Sequence, residues 1–162
     1  MPLSRVKSVF RARASLIDRL VDDQPAVRRE SRPLRTLTRK QLKAVVMRDL
    51  GWLLNTRTSG KPSRFDSEEL TVIDYGMPDF GAYFTANPED RERLIQRMIR
   101  AISAFEPRLQ KVRIAVEPIK INEKKLKILI EAVIVVHTVR APVSFLTVFH
   151  DKTGTMEIYE NR

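Results

Sequence analysis

The sequence predicts an α+β fold, N-terminal helices followed by a mostly antiparallel four-stranded sheet. Two stretches, around residues 38–54 and 88–105, carry apolar residues at helical spacing. At Pro107 the period changes from 3.6 to 2, and consecutive alternating runs follow. A chain of 162 residues fits one ordinary domain with flanking segments, and a core of that size needs no covalent staples.

Residues 5–21 read as an amphipathic helix. Val6, Val9, Phe10, Leu16, Ile17 and Leu20 recur at helical spacing, with Arg5, Arg11, Arg13 and Arg19 between them. Asp22 to Pro33 holds two prolines, many charges and Val27 as its one large apolar residue, the composition of a linker. The expected organisation is therefore a basic helix and linker over residues 1–33 and a folded domain over 34–162. A basic amphipathic helix on a linker can enter a partner's groove, fold back on its own domain or lie on a membrane.

The next helix should start near Thr38, because Thr38 and Gln41 form a capping box ahead of Leu42, Val45, Val46, Leu50, Leu53 and Leu54. Gly51 inside this pattern costs about 1 kcal/mol relative to alanine, which points to a close approach there. Asn55 to Pro62 ends the helix in a loop, and the short apolar run Leu70 to Ile73 leads into the turn cluster Asp74 to Asp79. The third helix has Asn87 as N-cap, Pro88 at its first position, and Glu89 and Asp90 at its positive end. Leu94, Ile95, Met98, Ile99, Ile102 and Phe105 form its stripe, and Pro107 stops it at Phe105 or Glu106. Strands follow over Leu109–Val116, over Leu126–Val136, and over Val143–Phe149. After the loop Asp151–Gly154, a last strand contains Met156, Ile158 and Tyr159.

The net charge of +10 is unevenly spread. Residues 1–64 hold 16 Lys/Arg against 5 Asp/Glu, and residues 65–162 hold 14 against 15. With only Phe10 and Trp52 as aromatics in the basic part, the pattern lacks the stacking platforms of a nucleic-acid face. The excess points to an anionic partner surface, which can be protein. No apolar run approaches the ~18–20 residues that span a bilayer, and the N-terminus lacks a signal peptide's apolar core. The absence of cysteine excludes disulfides, thiolate metal sites and cysteine nucleophiles, and it fits a reducing compartment.

Candidate chemistry is sparse. No glycine-rich phosphate loop, HExxH helix or GxSxG elbow is present. His137 and His150 lie on separate expected strands without a third ligand, so no metal and no cofactor is expected. Asp74 and Asp79 flank a turn, where aspartate bonds its own backbone. Trp52, next to Leu53 and Leu54, reads as core. Glu106 at the end of an apolar helix resembles a general acid, yet Arg108 beside it would lower its pKa, the wrong direction. Glu106, Pro107 and Arg108 together place opposite charges on either side of a rigid kink. On chemistry alone the triplet is either a geometrically specific arginine–carboxylate knot or a plain helix terminator.

Arg48 to Arg57 (RDLGWLLNTR) resembles the signature helix of the TssE family, baseplate subunits of the bacterial type VI secretion system. Tyr75 to Asp79 (YGMPD) is similar to that family's turn motif, and Ile99 to Leu109 to its helix-to-strand junction. Leu16 to Asp23, residues 126–136 and Pro142 to Phe145 extend the resemblance to about residues 15–160. One departure is Gly51, where the family more usually has a larger polar residue. The resemblance implies a non-enzymatic structural subunit, similar to the wedge protein of contractile phage baseplates. Such a subunit joins TssF, TssG and TssK in a wedge around the VgrG hub and supports assembly of the TssB–TssC sheath around the Hcp tube. It implies contact through Glu106, Pro107 and Arg108 with the wedge's core bundle, strand donation from sheath to sheet, no nucleic-acid partner and no direct membrane insertion. The implied place is cytoplasmic, at the inner face of the bacterial inner membrane. Readings from other classes are a muramidase-like peptidoglycan hydrolase with Glu106 as acid, a regulatory anti-adaptor of the same fold, and nucleic-acid binding through residues 1–64.

Overall fold

The computed structural model describes residues 12–20, 26, 36–61, 63–67, 69–79, 88–117, 125–136, 139–150 and 153–161. The chain divides into two compact units, Met1–Val45 and Val46–Arg162. The expected linker, apart from Ala26, and its boundary at residues 33 and 34 lie outside the described residues, as do Val6, Val9, Phe10, Asn87 and His137.

In the first unit β1 (Ala12–Arg13) pairs antiparallel with β2 (Thr36–Leu37), Ala12 opposite Leu37. The helix α1 then covers only Leu16–Leu20. A continuous helix over residues 5–21 is thus not what forms. Ser15 stops it from extending backwards: its Oγ accepts the Asp18 N–H at 3.1 Å and donates to the Asp18 carboxylate at 2.6 Å, an N-cap that starts a helix at Leu16. Leu16, Ile17 and Leu20 are exposed and Asp18 is buried.

Helix α2 (Arg39–Asn55) starts in the first unit and ends in the second. The expected capping box is present, with Thr38 N–H donating to Gln41 Oε1 at 2.9 Å and Gln41 N–H to Thr38 Oγ1 at 3.3 Å. Leu42, Val46, Leu50, Leu53 and Leu54 are buried. Nothing lies within 4 Å of a Cβ built on Gly51, so the expected close approach does not occur.

Within the second unit a one-turn helix, α3 (Arg64–Ser67), buries Phe65, and a 3₁₀ turn (Val72–Asp74) follows. Helix α4 (Pro88–Phe105) has the predicted limits and buries Leu94, Met98, Ala101 and Ile102. The sheet runs β3 (Leu109–Val116), β4 (Lys125–Val136), β5 (Val139–His150) and β6 (Thr155–Glu160), all antiparallel in sequence order. Paired residues share a face, and the pairs Leu126–Phe149, Ile130–Phe145 and Ile134–Ala141 build its buried side. Pro142 opposes Val133 near the start of β5, beyond the Phe145–His150 stretch that pairs with β6. Its missing N–H therefore costs no ladder bond on that side. Among the described residues no helix is long and apolar enough to cross a membrane.

Candidate docking site at the helix–sheet junction

Pro107 cannot continue α4, so the chain turns. Leu109 N–H bonds the Glu106 carbonyl at 2.9 Å, and the Arg108 carbonyl accepts from Val135 N–H on β4 at 2.8 Å. That backbone clamp fixes where the Arg108 side chain begins. Its guanidinium forms a fork on Glu106: Nε donates to Oε1 at 2.5 Å and Nη2 to Oε2. Nη2 also donates to Asp49 Oδ2 on α2, at 2.5 Å. Asp49 Oδ1 in turn accepts Arg48 Nε and Nη2 at 3.0 and 2.8 Å, and the Arg48 guanidinium lies 4.6 Å from the centre of the Trp52 ring.

The sequence alone left the role of Glu106–Pro107–Arg108 open between knot and terminator. The structure contains the arginine–carboxylate knot and extends it to four alternating charges, Glu106, Arg108, Asp49 and Arg48. Glu106 is buried, and the Arg108 side chain is 25% exposed. Burial alone would lower the Arg108 pKa, but hydrogen bonds to Glu106 and Asp49 outweigh it and raise the guanidinium above its ordinary value. Among the described residues no group accepts the two hydrogens of Arg108 Nη1. The two carboxylates hold the guanidinium plane in place through Nε and Nη2.

Two residues missed from sequence reasoning complete the site. Asp49 lies 59 positions from Arg108, and only its place in the RDLGWLLNTR helix marks it. Tyr75 packs edge-to-face on Phe105, ring centres 5.4 Å apart at 67°. Burial, then the carboxylates of Asp49 and Glu106, raise the Tyr75 hydroxyl's pKa, so the ring stays neutral. Trp52, expected in the core, is 53% exposed: Leu50, Leu53 and Leu54 take the inward side of α2 and leave it on the outer one. The YGMPD turn is riveted to the end of α2, with Met77 N–H donating to Thr56 O at 2.8 Å and Thr58 N–H to Met77 O at 3.0 Å. Gly76, at φ +115°, has to be glycine here, since a Cβ would stand 2.6 Å from the Thr56 carbonyl oxygen. Asp74 behaves as a turn aspartate, accepting Thr71 N–H at 2.9 Å and the Thr71 hydroxyl at 3.0 Å, with Arg64 at 3.3 Å.

The sheet has two outer edges. β3 is interrupted by a bulge between Gln110 and Arg113, with Lys111 at φ 54°. On β6 the Asn161 N–H bonds Ser144 O, which sets the parity and turns the backbone groups of Met156 and Ile158 outward. Asn55 Nδ2 donates to Met156 O and Asn55 Oδ1 accepts Met156 N–H, both at 2.8 Å, so a side chain stands in for a strand at that residue. Ile158 keeps its outward N–H and C=O.

His150, at the end of β5, has Nε2 3.4 Å from Glu157 Oε2. Among the described residues no three His, Cys, Asp or Glu side chains are grouped to hold a metal ion.

No curated protein matches the chain. A family model described as baseplate wedge protein gp25 matches residues 40–138, which span α2, the turn, α4, the Glu106–Arg108 knot and the β3–β4 hairpin. With well over half of the sequence matched, and with the matched region holding every member of the charge chain, this chain belongs to the baseplate wedge protein gp25 family.

Proposed function

We propose that this chain is the TssE-type subunit of a type VI secretion baseplate. In this reading it docks on the TssF–TssG core of the wedge beside TssK, offers a sheet edge to the TssB–TssC sheath, and stands next to the VgrG hub and Hcp tube. The work is done in the cytoplasm at the inner membrane. The observation that carries the reading is the Arg108 fork: two carboxylates fix it, and its Nη1 donors have no acceptor among the described residues. Such a group gives directional specificity to a protein contact, because its geometry is paid for before the partner arrives. Membership of a structural baseplate family points the same way. The hydrolase reading loses support from the same geometry, since both Glu106 oxygens are taken by Arg108 and are poorly placed to give a proton to a substrate.

The outward backbone of Ile158 on β6 is the edge offered for strand addition. The basic N-terminal segment, with Leu16, Ile17 and Leu20 exposed, anchors to a neighbouring subunit. The test is co-purification of tagged wild type and Arg108→Gln with TssF and TssG. Capture by the wild type and its loss in the variant is the expected result. No capture by a folded wild type would overturn the baseplate reading.

A further inference from the structure

Of the eight large hydrophobic residues exposed among the described residues, four lie on α2 or at the 3₁₀ turn of the second unit: Trp52 on the helix, Val72 and Ile73 in the turn, and Tyr75 directly after it. Val72 and Ile73 are 88% and 70% exposed, the extreme for β-branched residues that could otherwise have been buried. The turn that carries them is unusually well fixed. Asp74, itself 1% exposed, accepts both the N–H and the hydroxyl of Thr71, its own N–H bonds Thr71 O at 2.9 Å, and Arg64 lies against its carboxylate. A buried, charged anchor on one side thus presents two bare aliphatic side chains on the other. Nothing in folding of this unit requires that pair to be apolar, and fixing the turn in advance removes the entropy cost of ordering it in a complex.

Tyr75 connects this knob to the charge chain. Its ring rests on Phe105, one residue before Glu106, and its hydroxyl feels Asp49 and Glu106. The four charges there, Glu106, Arg108, Asp49 and Arg48, cancel in sign. A partner carboxylate set against Arg108 would bring an unbalanced negative charge into a desolvated contact, whereas a backbone or amide carbonyl would not.

We infer that Val72 and Ile73 are the apolar anchor of the docking surface whose orienting group is Arg108, and that their occupant is an uncharged protein surface. That surface carries an apolar pocket for the two aliphatic side chains and a neutral carbonyl oxygen for Nη1. The inference rests on the docking reading above and adds where its binding energy comes from: the knob supplies area, the fork supplies direction. It also separates this face from the basic N-terminal segment, whose partner would be anionic.

The experiment measures binding of the full chain to purified TssF–TssG, for the wild type and for Val72→Asp, Ile73→Asp, Val72→Ser and Ile73→Ser. Each aspartate variant should weaken binding about tenfold or more, each serine variant less, and thermal melting should stay at the wild-type midpoint because both positions face water. The serine pair keeps the test decisive if an aspartate perturbs the turn. Wild-type binding with all four variants within twofold of it would overturn the knob and leave the docking reading standing. No binding by the wild type would overturn both.

Discussion

Alanine replacements on the two sides of the Glu106–Arg108 pair should have unequal costs. The Glu106 side chain is 5% exposed and that of Arg108 is 25% exposed. Arg108→Ala strands a buried carboxylate with no donor among the described residues to either oxygen, and removing one partner of a buried pair costs about 3–5 kcal/mol. Glu106→Ala leaves a guanidinium that still bonds Asp49 and that water can reach, so the loss is close to that of hydrogen bonds to a charged group, about 1.5–3 kcal/mol. The double variant removes both charges and should be less destabilised than Arg108→Ala alone, a coupling larger than the whole cost of Glu106→Ala and so above about 1.5 kcal/mol. Urea unfolding of the four proteins at neutral pH, with matching slopes, measures all three quantities. Equal costs for the single variants, or a double variant whose cost is their plain sum, would refute the account of Glu106 as a buried carboxylate that depends on Arg108. The same asymmetry is the reason for Arg108→Gln in the binding test, where glutamine can still donate to Glu106.

Other outcomes follow from individual residues. Gly51→Ala should raise stability by about 0.5–1 kcal/mol, because the helical site has open space for a methyl group, and a thermal melt would register it as a higher midpoint. Thr71 N–H holds the Asp74 carboxyl below the usual carboxylate range against its burial, with the Thr71 hydroxyl and Arg64 assisting. A depressed folded value contributes stability that is present above the unfolded carboxylate pKa and lost as pH falls through the folded value. Asp74→Asn should therefore flatten the acid limb of the stability–pH curve below about pH 4. Ile158→Pro removes an N–H that points away from β5, so the variant should fold and still capture TssF–TssG while failing to support sheath assembly, scored by fluorescent TssB in cells.

How much was legible depended on whether a feature is written locally. Helix α4 was readable to its ends because Pro88 and Pro107 act through covalent geometry at the residue itself. The strands were readable because period 2 survives whatever the sheet packs against. The stretch around Ser15 misled, since apolar spacing alone cannot show that a serine three residues before an aspartate will start a helix there. Trp52 was misplaced by its neighbours' chemistry: Leu53 and Leu54 are buried, but at about 100° per residue a position one step away can face water. Helix α3 is a single turn of four residues, too short to leave a periodic pattern. Within the site, Glu106 and Arg108 were visible as near neighbours, whereas Asp49 joins them across 59 residues, a contact that only the folded chain creates.

The bond between Asn55 and Met156 spans 101 positions of sequence. During synthesis at about 5–20 residues per second, α2 is complete roughly 5–20 s before the strand that its last side chain will bridge. Over that interval the Arg108 that will hold Asp49 is not yet made for about half the time. Closing these long loops comes late in folding, when the entropy of the intervening chain must be given up all at once. The signature helix is thus both an early part of the protein to exist and a late part to be secured, and nascent chains stalled between α2 and β6 are where chaperone dependence of this subunit would show.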